Sequence, residues 1–438
     1  MMFRVVATLT VCAIALAGCE QPQPIIPGKR EAVDTLIQDA PARAEIVNKS
    51  VAFRAPSMST NANWTQGHGT ARTRTTHPTL GANPQLMWSV PIGVGDGQRT
   101  RITADPVVVD GRIFTVDAEA RLSAHATSGA ALWSIDLTPQ GEGRGEATGA
   151  GIAYGNGTLF VTTAYGLLHA INPTNGAIRW SQSLRGAGNT RPTYYDGLVY
   201  AISSDRTAWA IEADNGRVRW QIDGVDDVNN RIGSNAPAVS DKFALFGFGS
   251  GEVQAVFRKG GLVYWNSSLK GARAGRAEGA VVDLGASPVI AGSRVYAAGA
   301  SGRMVAMSLG DGERIWTNNQ GVRGQLWPAG SAIFALNDMN QLIRVDASNG
   351  ETLWAVDLPN FRKISPRRSA EIVAHYGPIL AGGRILVASN DGLLRQFDPT
   401  DGALIGQTAV PGGATTHPVI AGGVLYLVSG DGQLHAFR

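Results

Sequence analysis

One motif returns eight times along this chain after position 105, at intervals of about 40 to 50 residues. Each copy opens on an apolar run with Tyr or Phe, passes a Gly or polar turn, and continues into an alternating apolar strand. A tight Asn-Gly or Asp-Gly turn follows, then usually a strand ending in Trp. Clear copies are GTLFVTTAYGLLHAINPTNGAIRW (157–180), GLVYAISSDRTAWAIEADNGRVRW (197–220) and SRVYAAGASGRMVAMSLGDGERIW (293–316). Several short strands per unit at this period specify a β-propeller, because one unit cannot bury its apolar faces alone and must stack on its neighbours. The repeat overrides the two or three domains that 438 residues would otherwise suggest.

Counting copies sets the architecture. Trp-ended strands close at Trp133, Trp180, Trp220, Trp265, Trp316 and Trp354. A seventh unit has Gly406 where Trp is expected, and an eighth stops at Arg438 with its last strand missing. Pro84 to Pro91 supplies an orphan strand containing Trp88. Placing it beside the last unit predicts an all-β, eight-bladed propeller over 81–438, with four antiparallel strands per blade and no open edge. The Asn-Gly and Asp-Gly pairs at 175–176, 215–216, 311–312, 349–350 and 401–402 suit tight turns that need positive φ. Each outer Trp offers a large apolar face and one N–H for docking blade to blade. Ala236-Pro237-Ala238-Val239 and Ser287-Pro288-Val289-Ile290 read as inner strands, with small residues where the strands crowd the axis.

The N-terminus is different. A basic start precedes the apolar run Val5 to Ala17, too short to span a bilayer, which reads as a secretory signal over 1–18. Leu16-Ala17-Gly18-Cys19 resembles the bacterial lipobox, which implies lipid attachment at Cys19 and a membrane anchor. Pro-rich and then Ser/Thr/Asn/Gly-rich sequence follows, and residues 19–80 are expected to form a flexible tether, with a short helix over 30–37. The net charge of +3 is small and evenly spread, which argues against a nucleic-acid partner.

Little in the chain reads as catalytic chemistry. The seven histidines show no metal-ligand spacing, and His169 and His435 occupy equivalent repeat positions. The Gly-rich stretches 93–97 and 141–151 lack the strand–helix context of a nucleotide loop, and no Ser sits in a nucleophile elbow. No metal or cofactor is expected. Residues 361–369 (FRKISPRRS) concentrate cations in a loop between blades six and seven. Two longer connections, around 226–234 and 272–286, enter adjacent inner strands and are expected to lie together on one face of the disc.

Lipobox, tether and eight Trp-docked blades together resemble the BamB family of outer-membrane assembly lipoproteins, most closely from Asn235 to Trp354. The resemblance implies a non-enzymatic, lipid-anchored scaffold on the periplasmic face of the outer membrane. Its partners would be a BamA-like barrel-assembly protein, the other BAM lipoproteins and unfolded outer-membrane proteins. It places the partner-binding surface on the loops after blades three and four. Val228, Asn230, Arg231 and Ile232 before Ala236-Pro237 match the first loop, without the family's leucines. Glu278 and Asp283 before Ser287-Pro288 match the second. The repeat is also similar to that of quinoprotein dehydrogenases, which carry a vicinal Cys pair and acidic calcium ligands. A third reading is a periplasmic ligand-binding propeller using its axial face.

Overall fold

The computed structural model describes residues 46–72, 77–188, 190–224, 235–270, 284–300, 302–362 and 371–438. They form eight four-stranded antiparallel sheets, with a single 3-10 turn at Gly67–Gly69. Blades one to seven each use four consecutive strands: β2–β5 (107–136), β6–β9 (150–183), β10–β13 (193–223), β14–β17 (238–268), β18–β21 (289–318), β22–β25 (322–357) and β26–β29 (375–409). Blade eight takes β30 (Val419–Ala421), β31 (Val424–Val428) and β32 (Gln433–Phe437), and its outer strand is β1 (Leu86–Pro91). The expected closure is therefore present. β1 pairs with β32 in the register Trp88↔Ala436, and Gln85 and Arg438 exchange two backbone hydrogen bonds beyond it.

Within each blade the strands are called A to D from the axis outward. The B strands are largely apolar and buried on both faces, as strands sandwiched between neighbouring sheets must be, and the C strands are buried along most of their length with polar residues among the apolar ones. Outer strands such as β5, β9 and β13 instead alternate exposed and half-buried residues. Their half-buried row carries the tryptophans. Each indole N–H donates to a carbonyl in the next blade's C–D turn: Trp133 to Pro173, Trp180 to Ala213, Trp220 to Arg258, Trp265 to Leu309, Trp316 to Ala347 and Trp354 to Pro399, at 2.9–3.3 Å. The acceptor always lies three residues before the turn glycine on which the indole rests. At Gly216, φ is +75° and a Cβ would stand 2.7 Å from Trp180, so only glycine both makes the turn and admits the ring. Gly261 plays the same part under Trp220, so the divergent Lys259-Gly260-Gly261 turn docks like the others. Trp88 closes the ring by resting on Gly129 of blade one.

Strand C makes room for the indole. The residue opposite Trp is Ala in blades one to five and in blade eight, and a bulge follows the pair in blades one to five. Blade seven inverts the volumes, with buried Gln396 opposite Gly406. The topology explains the missing tryptophan. Blade eight has no covalent C–D turn, since its C strand ends the chain and its D strand comes from residue 86. Blade seven thus has no turn glycine and carbonyl on which to dock an indole.

One sequence expectation is revised. Residues 46–72 and 77–80, read as part of the tether, are bonded to the disc, and they visit every blade. Lys49 donates its N–H to Leu353 in blade six, and the Asn61 carbonyl accepts from Gly422 in blade eight. Trp64 exchanges two backbone bonds with Val108 in blade one. The carbonyls of Thr65, Ala71 and Arg72 accept from Tyr154, Val239 and Ile290 in blades two, four and five, and the Gln66 amide pairs with the Tyr194 backbone in blade three. Pro78 accepts from Gly382 in blade seven. The tether residues 19–45, the helix at 30–37 and Cys19 lie outside the described residues.

Candidate functional site

The antiparallel order A-B-C-D puts all blade-to-blade connections on one face and all A–B turns on the other. The described arm residues 61–72 and 78 are bonded at the A–B ends of the inner strands, on that second face, and Lys49 bonds the outer strand of blade six. Most of the long segments singled out from the sequence, 225–234 and 271–283, lies outside the described residues. Their described ends are tied together: Asn235 Nδ2 donates to the Leu284 carbonyl at 3.1 Å, and the Ala236 N–H donates to Ser287 Oγ at 2.9 Å. The expected partner-binding residues Val228, Asn230, Arg231, Ile232, Glu278 and Asp283 lie outside the described residues, as does most of the cationic loop, 363–370. Phe361, at its start, forms an isolated bridge with Ile372.

The structure adds an axial cluster on the same face that was not identified from the sequence. Asp105, Arg191 and His417 come from blades one, three and eight. Arg191 Nη2 lies 2.8 Å from Asp105 Oδ2 and donates to His417 Nδ1 at 3.0 Å. The His417 backbone N–H donates to Asp105 Oδ1 at 2.9 Å, and Tyr376 of blade seven packs edge-on against the imidazole. Burial works to raise the Asp105 pKa, but Arg191 and His417 overcome it and hold the carboxyl down at about 2. Each of the three precedes the proline that opens an inner strand: Asp105-Pro106, Arg191-Pro192, His417-Pro418. Blades four and five carry Ala236 and Ser287 there. A charged residue at this small-residue position was the available signal.

Beside the cluster opens a cavity of about 390 Å³, lined among others by Arg191, Arg323, Gln325, Asn337, His375 and His417. A second cavity of about 240 Å³ adjoins it, with Arg101, Asp105 and Thr415 in its wall. On the arm side the axis is filled by Trp64, stacked on Trp327 of blade six with ring centroids 6.4 Å apart.

Two buried histidines, His169 and His435, do structural duty. His169 pairs with Ser181 at 2.8 Å, and burial pushes its pKa down to about 4. His435 lies between Ser89 and Ser429, 2.7 Å from each, and is 1% exposed. The Ser429–His435 pair has the elements of a nucleophile and base, but both residues are sealed inside blade eight, and Asp431 contacts the serine rather than the imidazole. The quinone–calcium chemistry implied by the dehydrogenase resemblance finds no fit at the axis. Asp105 is the single carboxylate lining either cavity among the described residues, and it is already paired. No three of His, Cys, Asp and Glu converge among those residues.

Comparison with known proteins agrees with this geometry. The family model described as "Outer membrane protein assembly factor BamB" matches residues 118–356 and 345–438. The BamB of Shewanella oneidensis is 27% identical over 336 residues, covering 75% of this chain and 82% of that protein. Among solved structures, BamB from Moraxella catarrhalis superposes with a TM-score of 0.67 at 17% identity, covering 81% of this chain and 99% of that one. A quinohemoprotein alcohol dehydrogenase from Pseudomonas putida reaches the same TM-score at 14% identity, covering 86% and 80%, which shows the shared disc and nothing about chemistry. With the family model spanning nearly the whole propeller, the chain belongs to the outer membrane protein assembly factor BamB family.

Proposed function

We propose that this chain is a non-enzymatic, lipid-anchored scaffold of the outer-membrane β-barrel assembly machinery, held at the periplasmic face by Cys19. Its connection face binds the periplasmic domains of a BamA-like protein. The family match over 118–438 carries the reading. Two features of the disc support it. The arm occupies the A–B face, which leaves the connection face for partners, and the long segments after blades three and four start from ends bonded to each other. Arg231, through a bidentate bond to a carboxylate or to strand carbonyls, and the acidic pair Glu278 and Asp283 are the contact residues of this proposal. The Ser429–His435 pair is buried without access for substrate, in keeping with a non-enzymatic role.

The test is a pull-down of the detergent-extracted, full-length chain with the partner's periplasmic domains. Arg231→Ala is expected to weaken capture about thirtyfold, from a hot-spot loss of roughly 2 kcal/mol. The Glu278→Ala/Asp283→Ala variant is expected to weaken it separately. Both should retain wild-type circular dichroism. Undiminished capture by both variants would remove this face from consideration, and an unacylated Cys19 in the mature protein would remove the anchor.

A further inference from the structure

We propose that residues 46–60 form a releasable strap on the rim of blade six, and that its release lengthens the chain joining the disc to its lipid anchor. The lengthening rests on the anchor at Cys19; the release does not. Blade six is built to receive this segment. Opposite the outer Trp, where blades one to five and blade eight carry Ala, blade six carries Arg344. Its guanidinium donates to the Val51 and Ala52 carbonyls at 2.6 and 3.3 Å and stands 5.3 Å from the centroid of the Phe53 ring, which meets Phe334 edge-on. The Asn48 side chain donates to the Ala355 carbonyl at 3.1 Å and accepts from its N–H at 2.9 Å, in the manner of an added strand. Beside it the Lys49 N–H donates to Leu353. Further along, His77 accepts the Gly383 N–H at Nε2, so its Nδ1–H donates to the Pro56 carbonyl at 2.7 Å, and Ser59 exchanges backbone bonds with His77 and Thr79.

This grip is polar and open to water. Of residues 46–60, Ile46 and Phe53 are half-buried and all the others are exposed, whereas Trp64, Gln66 and Ala71 of the next stretch are buried. A segment with few buried apolar contacts and solvent-exposed backbone bonds opens locally, far more often than the whole fold does. The disc is left whole by such an opening. Arg344 keeps the Pro399 and Thr400 carbonyls of blade seven, at 3.1 and 3.2 Å, so its charge is not stranded. Leu353, 6% exposed beside the strap, has counterparts in Leu132, Ile315 and Ile405 that stand 44–51% exposed, so release adds one residue of a kind the rim already shows. The first residue still fixed is then Asn61, whose amide donates to the Ile420 carbonyl at 2.6 Å and whose own carbonyl accepts from Gly422. Attachment thus moves from Lys49 to Asn61, which is twelve residues (61 − 49) of added chain. At 3.3–3.6 Å per residue they extend the reach by about 40 Å. The disc has two leash lengths, one fastened at the rim of blade six and one reaching further from the membrane.

The experiment is hydrogen exchange of the detergent-extracted full chain, read at single amides by fragmentation in the mass spectrometer. Two strap amides, Lys49 N–H and Ser59 N–H, are compared with Trp64 N–H, which donates to the Val108 carbonyl at 2.7 Å. Relative to their unfolded-chain rates, the strap amides are expected to exchange about a hundredfold faster than Trp64. Asn48→Ala removes both side-chain bonds to Ala355 from the strap side and leaves the disc intact. It should speed exchange at Lys49 about tenfold more, with Trp64 unchanged. Protection at Lys49 equal to that at Trp64, or an equal rise at both in Asn48→Ala, would overturn the release. The same mass spectra report Cys19. An unacylated Cys19 beside a fast-exchanging strap would overturn the lengthening, and with it the anchor, and leave the release standing.

Discussion

Replacing Trp64 by alanine tests whether the N-terminal arm is part of the folded body. Trp64 is 3% exposed. Its backbone donates to the Val108 carbonyl at 2.7 Å and accepts from the Val108 N–H at 2.9 Å, while its ring lies nearly parallel to Trp327, at 12°. Blades one and six are not neighbours in an eight-membered ring, so this one side chain spans the axis. Truncating a buried Trp removes its transfer free energy and leaves a cavity, at a cost of about 3–5 kcal/mol. Against a net stability of roughly 5–15 kcal/mol this is a large fraction. The expected result is a lower midpoint of the first urea transition by far-UV circular dichroism, and earlier proteolysis within 46–72. A protein of this size need not unfold in one step, so the first transition is the one to compare. Deleting 1–70 removes Trp64 with most of the arm and should cost at least as much, whereas a tether reading of the sequence makes that deletion nearly silent. A Trp64→Ala midpoint and cleavage pattern equal to wild type would refute the docked arm.

The turn glycines offer a matched pair. Gly216→Ala (φ +75°) places a Cβ 2.7 Å from Trp180, while Gly157→Ala (φ +69°) meets nothing within 4 Å. The second should cost only the left-handed strain of about 1–2 kcal/mol and the first clearly more, read as the difference between their melting temperatures. Acid should weaken the fold in two windows. His169, held by burial at about 4, contributes stability in full above its unfolded value near 6.5, and this is lost as pH falls toward 4. The full loss is about 3 kcal/mol for a shift of roughly 2.5 units. Burial also lowers His125, His375 and His435, so His169→Leu should flatten that limb in part. Asp105 adds a lower window: its stabilisation is present above about 4 and is lost as pH falls toward 2. Urea midpoints measured from pH 7 to 3 follow the first window and the start of the second.

The ring was legible in the sequence because its determinants are local and repeated. Trp, turn glycine and alternating strand recur in most blades, and the orphan Trp88 strand could be matched to the truncated last copy by subtraction. The arm was not legible, because its contacts have no period. It is irregular backbone that offers single carbonyls and N–H groups to the ends of eight different strands, and its composition is that of a linker. Trp64, the lone Trp, Tyr or Phe in the polar stretch 57–83, was one apolar signal there, and Phe53 and Leu80 were others along the arm. The axial cluster was hidden for another reason. Asp105 and His417 are 312 residues apart and meet only because the ring closes. Each taken alone is an isolated polar residue before a proline. Aligning the copies on that proline brings out the pattern, with charge standing where the neighbouring blades carry Ala or Ser.

A ring closed without a covalent link has one seam where the chain gives no help, and here the N-terminal residues are concentrated on it. Blade eight is completed by β1, and blade seven lacks its docking indole. The arm bonds to each of the adjoining blades six, seven, eight and one. Asn48 and Lys49 hold blade six, Asn61 holds blade eight and Trp64 holds blade one. Leu80, Gly81 and Ala82 accept from Arg384 of blade seven just before the chain enters β1. Among the described residues, blades four and five each receive a backbone bond, from Ala71 and Arg72, and Arg72 also pairs with Asp241 of blade four. The apolar packing spans the same seam. One continuous buried cluster runs from Trp327 and Trp354 through Leu386 and Ile420 to Phe437 and Ile113, and it takes in Trp64 and Leu80 from the arm. The volume that Gly406 does not fill in blade seven is thus offset by burial across the seam rather than by another indole. The arm therefore acts as the ring's clasp, and fastening it on the A–B face keeps the seam closed without covering the connection face.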